Sequence, residues 1–451
     1  MRSSKAIPGL PIDASWRCLP HLFAEHLGRG RWRLYPYLRL IGDRITEAIF
    51  RGRGRLIVNL PPRHGKSQLV SVYIPAWYLS FFPERWVLLA TYEGNFALSW
   101  GRKVRDLLEA HPELEVKVRQ DVSAASHWET TEGGGMATAG FGGPLTGKGG
   151  HLLIVDDPVK NWREAQSPVI RKAVIEWFNS VFYTRAEPGA TIVVVMTRWH
   201  ERDLTGYLIG EHSDQWEVIR LPALAEVGDP LGRKEGEALC PERYPREELL
   251  SIREAIGSYF WAGLYQQRPA PEEGGIFRRE WWRYYKEPPK FDLLVLSWDT
   301  AFKKGDDTSY TVCEVWGRAK GGYYLLDLWR ARVEYPELRR QMMALYEKWR
   351  PHAVLIEDRA SGQSIIQELR REGRIPVVPI APEADKVMRA RIVSPLVEAG
   401  KVYLPERAPW LADFLDEVTA FPNSEHDDQV DAMSQALDWL REDRGPGILL
   451  L

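Results

Sequence analysis

The chain has few cysteines. Among 451 residues there are only Cys18, Cys240 and Cys313, far apart and with no C-x-x-C pair. That excludes a disulfide framework and a cysteine-rich zinc site, and leaves reduced packing residues. It also lacks any stretch apolar enough to span a membrane, and the opening MRSSKAIPGL has no apolar signal-peptide core. A cytosolic protein is expected. A charge of one sign is missing too: the formal net charge is -2, so nucleic-acid binding would have to come from local basic patches. No internal repeat or low-complexity tract occurs, so the fold must be read from individual motifs. What is present is an ordinary globular composition, 44% hydrophobic and 27% charged, and enough length for two or three domains with their own cores.

The most informative stretch is LIVNLPPRHGKSQL, Leu56 to Leu69. An apolar strand meets a Gly-Lys-Ser turn and continues as a second apolar run, the order strand, phosphate loop, helix. Backbone N–H groups in such a turn face an anion, the Lys reaches the terminal phosphates, and the Ser hydroxyl holds Mg2+. Lys66 and Ser67 take those roles, and Arg63, His64, Gly65 and Gln68 complete the candidate ATP-binding loop. The first Gly of the usual pattern is replaced by Leu60, so the turn alone is weak. Support comes from HLLIVDDP, His151 to Pro158. A buried parallel strand is a continuous apolar run, and its C-terminal end is where α/β sheets bind ligands. Asp156 is placed to hold the nucleotide's Mg2+ through water, and Asp157 to polarise the attacking water.

Residues 1–55 read as mostly helical, with Leu38, Ile41, Ile45 and Ile49 at spacings of three and four. Tyr35 or Tyr37 could stack on an adenine, though core packing accounts for either ring. WVLLATYEG, Trp86 to Gly94, is another buried strand followed by a helix, the alternation of a parallel sheet with crossover helices. Residues Gly133 to Gly150 are Gly-rich and read as a flexible loop, in which Lys148 could reach a phosphate as an arginine-finger equivalent. ATIVVVMTRWHERDL, Ala190 to Leu204, ends its apolar run at Thr197, a candidate sensor of the γ-phosphate, and His200 and Glu201 read as polar surface residues. From about Leu221 to Glu280, Pro and Gly recur around one amphipathic helix, with a boundary near Pro271 to Gly275. The expected division is an ATPase domain over 1–240, a linker with one helix over 241–275 and a second domain over 276–451.

That second domain opens with LLVLSWDTAF, Leu293 to Phe302, and continues with two more strands, a helix and the strand of AVLIEDRASG, Ala353 to Gly362. Near the end, EHDDQVDAMSQALDWL sets Asp428 and Asp431 three apart at a helix start, on one face. Acidic residues thus stand at three separate element ends: Asp299, Glu357 with Asp358 beside it, and Asp428 with Asp431. Any one alone is most simply a solvated loop end. Together they suit Mg2+ or Mn2+, because two ions about 3.5–4 Å apart can activate water and stabilise the leaving oxygen of a phosphodiester. The order strand-Asp, meander, strand-Glu, helix-Asp is that of ribonuclease H-like nucleases. Arg278, Arg279, Lys386, Arg389 and Arg391 are candidate contacts to a DNA backbone.

With both halves read, the chain resembles the large terminase subunit of tailed bacteriophages. The motifs are NLPPRHGKS, LTGKGGHLLIVDDP, VVVMTRWHERDL, SYFWAGLYQQRP, LIEDRASG and HDDQVDAMSQAL, in that order. The resemblance implies an α/β protein with a parallel-sheet P-loop ATPase domain followed by a ribonuclease H-like nuclease domain. It implies ATP-driven translocation of double-stranded DNA into a capsid and metal-dependent cutting of concatemers. Lys66, Ser67, Asp156 and Asp157 would serve ATP, Thr197 coupling, and Asp299, Glu357 and Asp431 the nuclease metals, with Asp428 and Asp358 as further ligands. The family also implies a pentameric ring on the portal protein, a small terminase subunit that chooses the DNA, and work in the host cytoplasm. Two positions depart from it: Asp157 where many members have Glu, and Lys148 where many have Arg. The alternatives are a helicase-nuclease of repair or recombination, and a capsid protein with a vestigial nucleotide site.

Overall fold

The apolar runs of the sequence become strands, and their alternation decides which face each terminal side chain joins. The computed structural model describes residues 12–145, 147, 149–269, 275–300, 310–381 and 384–442. Lys148 and most of the expected boundary at Pro271 to Gly275 lie outside these residues. The chain divides into two compact units, Met1–Pro271 and Glu272–Leu451.

The strands of the first unit are β1 (Arg55–Asn59), β2 (Trp86–Thr91), β3 (Val118–Ala124), β4 (His127–Thr130), β5 (Gly135–Gly140), β6 (Gly150–Asp156), β7 (Ala186–Met196) and β8 (Glu217–Arg220). They form one sheet in the order β3-β4-β5-β2-β6-β7-β1-β8. From β5 to β8 every pairing is parallel. The β3-β4 edge is antiparallel, which makes the sheet mixed rather than purely parallel. The Gly-rich stretch read as a loop supplies β5: Gly135 and Gly140 lie so close to neighbouring backbone that a Cβ would collide with it, and these glycines allow the strand to pair there.

The helix Pro36–Arg51 begins with Pro in its first turn, where a missing N–H costs nothing, and stops at Gly52 with φ 74. Its buried stripe of Leu38, Ile41, Ile45 and Ala48 joins the core on one face of the sheet; each Ile is worth roughly 2 kcal/mol of apolar burial. The helix expected after Pro245 forms as Arg246–Phe260 but is broken at Gly257, φ 77.

The second unit contains β9 (Arg283–Tyr285), β10 (Leu293–Asp299), β11 (Thr311–Ala319), β12 (Gly322–Ala331), β13 (Ala353–Glu357), β14 (Val377–Ile380) and β15 (Val402–Pro405). Their order is β14-β13-β10-β11-β12-β15-β9. β10, β11 and β12 form the antiparallel meander, and β13 lies parallel to β10 on its other side. Successive strand side chains point to opposite faces. Leu293 and Val295 of β10 and Ala353 and Leu355 of β13 join the core under the helices Lys386–Glu398, Leu411–Ala420 and Asp428–Arg441. Leu296, Trp298, Val354 and Ile356 join the core on the opposite face. By the same alternation Asp299 and Glu357 fall on the face covered by the helix Asp428–Arg441.

One carboxyl lies deep in this unit. Glu314 of β11 is wholly buried, accepts a 2.7 Å hydrogen bond from Trp316 Nε1, and has its Oε1 unpartnered. Burial, and then Glu417, holds its pKa well above the usual carboxylate range. The folded state therefore keeps a proton that the unfolded chain releases above the ordinary Glu value, and stability falls as pH rises through that window. Glu314→Gln removes the titration. Denaturant unfolding of the second unit should show wild type and variant matched near pH 4. The variant should then gain by up to about 1.4 kcal/mol per pH unit on the alkaline side.

Candidate active sites

In the first unit, β6, β7 and β1 are consecutive neighbours, so the segments leaving their C-terminal ends meet. Leu152 and Ile154 of β6, Val193 and Val195 of β7 and Leu56 and Val58 of β1 share one core. Strand alternation sends Asp156 and Thr197 to that same face. The helical run that follows the loop packs there too: Lys66–Gln68, a widened turn over Leu69–Tyr73, then Ile74–Phe81. Pro75 has no N–H to give the Ser71 carbonyl, and the helix widens in the turn just before it.

Ser67 Oγ donates to Asp156 Oδ1 at 2.9 Å and Ser71 Oγ to Asp156 Oδ2 at 2.7 Å. Asp156 is fully buried, and burial, with Asp157 adding to it, raises its pKa to about 7 against the opposing pull of Lys66 and the two hydroxyls. Asp157 should by alternation face away. Instead its φ is 46, in the left-handed region, and the turn brings its carboxylate back: Lys66 Nζ lies 2.7 Å from Oδ2 and Thr197 N donates to Oδ1 at 2.8 Å. Lys66 Nζ also donates to Thr197 Oγ1 at 3.0 Å. Sequence reasoning named Lys66, Ser67, Asp156, Asp157 and Thr197, and the fold gathers all five.

Arg63 (φ 64) and Gly65 (φ 81) shape the loop through left-handed backbone, and the Arg63 side chain is exposed. The His64 ring stacks on Tyr244 at 5.1 Å and meets Tyr37 edge-on at 6.0 Å, while Tyr37 is itself buried and stacked on Tyr35. Burial pushes the His64 pKa down to about 4, so this ring packs the loop and carries no charge for a phosphate. Gln68 lies against the Tyr73 hydroxyl. One buried ammonium, a hydroxyl at a helix start and a buried carboxylate form a donor set that fits a magnesium nucleotide.

His200 and Glu201 were expected at the surface, but His200 is buried. The cause is a local fold in which Arg198 Nε donates to both oxygens of Asp203, at 3.0 and 2.9 Å, and Asp203 accepts from Gly206 N as the cap of the helix Leu204–His212. Arg198 N also donates to Gln267 Oε1 at 3.1 Å. Ser71 was missed although it stands four residues after Ser67, hence on the same helix face.

In the second unit, Ser297 Oγ donates to Ala432 O at 2.8 Å, and Gln435 Nε2 donates to Ser297 Oγ at 2.9 Å. These bonds hold the helix Asp428–Arg441 against β10 beside Asp299. Glu417 accepts from Gln429 N and Nε2, both at 2.7 Å, and so caps that helix from the Leu411–Ala420 helix. Asp299 has a pKa well above the usual range, through burial first and then Asp431, Asp428 and Glu357. Gly362 is required nearby, since a Cβ would stand 2.1 Å from the Glu357 carbonyl oxygen. Asp428 is buried, 3.9 Å from Arg330 Nη2, whereas Asp358 is exposed.

Lys386 and Arg389, read from sequence as DNA contacts, pair with the carboxylates in this structure. Lys386 Nζ lies 2.6 Å from Asp427 and 2.8 Å from Asp431, and Arg389 lies 3.3 Å from Glu357 and 2.6 Å from Asp431. Among the described residues no three His, Cys, Asp or Glu side chains enclose a metal position. The carboxylate oxygens around Asp299 are nevertheless the hard donors that Mg2+ or Mn2+ takes.

Two family models match. Residues 57–283 match the terminase large subunit, T4likevirus-type, N-terminal model, and residues 296–439 match the terminase RNaseH-like domain model. The chain belongs to the terminase large subunit family. This terminase therefore joins an ATPase to an RNase H-like nuclease that acts on DNA. Neither the helicase-nuclease nor the vestigial capsid reading gains support. No curated protein matches the chain. Among solved structures, the large terminase of a thermophilic bacteriophage in complex with ADP is 15% identical, with TM-score 0.47, covering 86% of this chain and 94% of that one. The HK97 bacteriophage large terminase is 12% identical, with TM-score 0.37, over 90% and 94%. The magnesium-bound large terminase nuclease of thermophilic phage G20c is 19% identical, with TM-score 0.29, over 37% and 98%. Family membership rests on the two family models. Among the described residues no helix of this terminase is long and apolar enough to cross a membrane.

Ser71→Ala would leave Asp156 Oδ2 buried without its donor. It should lower stability by about 1–2 kcal/mol in denaturant titration and raise the KM for magnesium ATP in a steady-state ATPase assay.

Proposed function

We propose that Lys66 and Ser67 bind the terminal phosphates and magnesium of ATP, that Asp156 holds the magnesium through water, and that Asp157 orients the attacking water. Arg63, His64, Gly65 and Gln68 form the loop around the phosphates. The observation that carries this reading is the position of Lys66 Nζ between Asp157 and Thr197. When Lys66 turns its charge to the phosphates, the Asp157 carboxylate loses its cation and becomes available to accept a proton from water. Thr197, bonded to both groups, passes the change along its strand and serves coupling. Lys148, or the exposed Arg63, is the arginine-finger equivalent toward a neighbouring subunit.

In the second unit Asp299, Glu357, Asp428 and Asp431 are the proposed metal ligands, with Asp299 central because the other three surround it electrostatically. Divalent ions, when bound, supply Lewis-acid activation of water and neutralise the leaving oxygen. The chain's own part is to hold the carboxylates on one sheet face and to present the DNA backbone to them. Translocation of double-stranded DNA would proceed from a pentameric ring docked on the portal protein, with a small terminase subunit selecting the DNA, in the host cytoplasm. The proposed division of labour along the chain keeps the limits 1–240, 241–275 and 276–451.

Separate chemistry implies separable loss. Lys66→Ala should abolish ATP hydrolysis and leave cleavage of purified plasmid largely intact, and Asp299→Asn should do the reverse. Parallel loss of both activities in either variant would overturn the assignment of two independent sites.

A further inference from the structure

Lys386 and Arg389 stand one helical turn apart at the start of the helix Lys386–Glu398, on one face of it. Between them they engage both oxygens of Asp431: Arg389 Nη2 holds Oδ1 at 2.6 Å and Lys386 Nζ holds Oδ2 at 2.8 Å. Arg389 Nη1 also lies 3.3 Å from Glu357 Oε1, and Lys386 reaches Asp427. Asp385 caps this helix through Met388 N, which fixes where both side chains start. Arg389 and Asp431 are largely buried, their side chains 17% and 4% exposed, so water screens the pair little.

An oxygen that already accepts a guanidinium or ammonium has less charge and fewer lone-pair directions for an ion. We propose that Lys386 and Arg389 are tethered cations that compete with divalent metal for Asp431 and Glu357, so that nuclease loading requires this pair to let go. The inference rests on the nuclease reading of the carboxylates. Competition sets two effects of opposite sign. The pair stabilises the metal-free protein by offsetting carboxylate repulsion, and it weakens metal affinity by the work of displacing it. Once displaced, two cations remain at the rim of the same carboxylates, where a phosphodiester anion is the natural partner. Metal and DNA backbone would then favour one another, and the ATPase would not depend on either.

The test uses full-length protein without nucleotide and Mn2+ alone as the probe, in calorimetric titration. Only the part of the signal abolished by Asp299→Asn is counted. Arg389→Met should bind Mn2+ roughly tenfold more tightly than wild type, a change of about 1.4 kcal/mol, and should melt at a lower temperature in EDTA, with the deficit shrinking as Mn2+ is added. Lys386→Met should shift the same way. Arg389→Lys keeps the charge and should stay closer to wild type. Arg332→Gln removes a cation that lies over the Tyr310 ring and should leave affinity within about a factor of two, which separates direct competition from a general change of field. A cooperative melting transition of the second unit with Mn2+ present reports that each variant has folded. Unchanged or weaker Mn2+ binding in both Met variants would overturn the competition. Absence of any Asp299-dependent Mn2+ binding in wild type would instead overturn the assignment of these carboxylates as the metal ligands.

Discussion

A carboxylate at the end of a buried strand needs positive charge or hydrogen-bond donors within reach, and both units of this terminase are arranged around that requirement. Asp156 is fully buried and survives there because two serine hydroxyls bond its two oxygens and Lys66 stands nearby. An unpartnered ion in such a place would cost several kcal/mol. The loop, the crossover helix and the strand end are therefore not free to vary separately. Moving the helix would remove Ser67 and Ser71 from Asp156, and moving the loop would remove Lys66 from Asp157. Proline and wide-turn geometry at Leu69–Tyr73 serve the same end, since they set the phase of the helix that carries Ser71.

The second unit meets the requirement with a different element. Its acidic strand ends are adjacent because β10 and β13 are parallel neighbours in register, Trp298 opposite Ile356. Ser297 and Gln435 then anchor the helix bearing Asp428 and Asp431 over the same face. The compensating cations come from a third place in the chain, Lys386 and Arg389. Carboxylates gathered from strands and helix concentrate negative charge, and a separate helix tempers it. In the ATPase unit the tempering cation, Lys66, is part of the loop itself, so on the proposed reading binding of a phosphate and release of Asp157 are one event.

Much of this was legible in the sequence, for a definite reason. Continuous apolar runs such as HLLIVD and ATIVVVM read as buried elements, and a charged residue ending such a run lies at the end of a strand whatever the topology. That is why Asp156, Asp157, Asp299 and Glu357 could be named before any fold, with Thr197 closing the same kind of run, Lys66 standing in a Gly-Lys-Ser turn and the Asp428/Asp431 pair opening a helix. Features set by pairing between distant segments were hidden. The antiparallel β3-β4 edge has only short, mixed strands, and β5 is written in glycines that look like a loop. Burial of His200 depends on Arg198 meeting Asp203, and the neighbours of Arg389 lie 32 and 42 residues away. No periodicity carries that information.

Asp157 shows how a departure in sequence and one in backbone can belong together. Alternation along β6 would send residue 157 to the face opposite Asp156, and a longer side chain does nothing to reverse that direction. A left-handed residue does, because it turns the chain rather than extending the side chain, and Asp tolerates this region far better than most non-glycine residues. With φ at 46 the short carboxylate already lies within 2.7 Å of Lys66 Nζ and accepts from Thr197 N. The shorter acid, where many of the family carry Glu, thus occupies a position whose backbone supplies the missing reach. Its Oδ1 is held by a main-chain amide and its Oδ2 by the Lys66 ammonium. If Asp157 is the base proposed above, its availability is set by where Lys66 stands, which ties the chemistry of the site to occupancy of the loop.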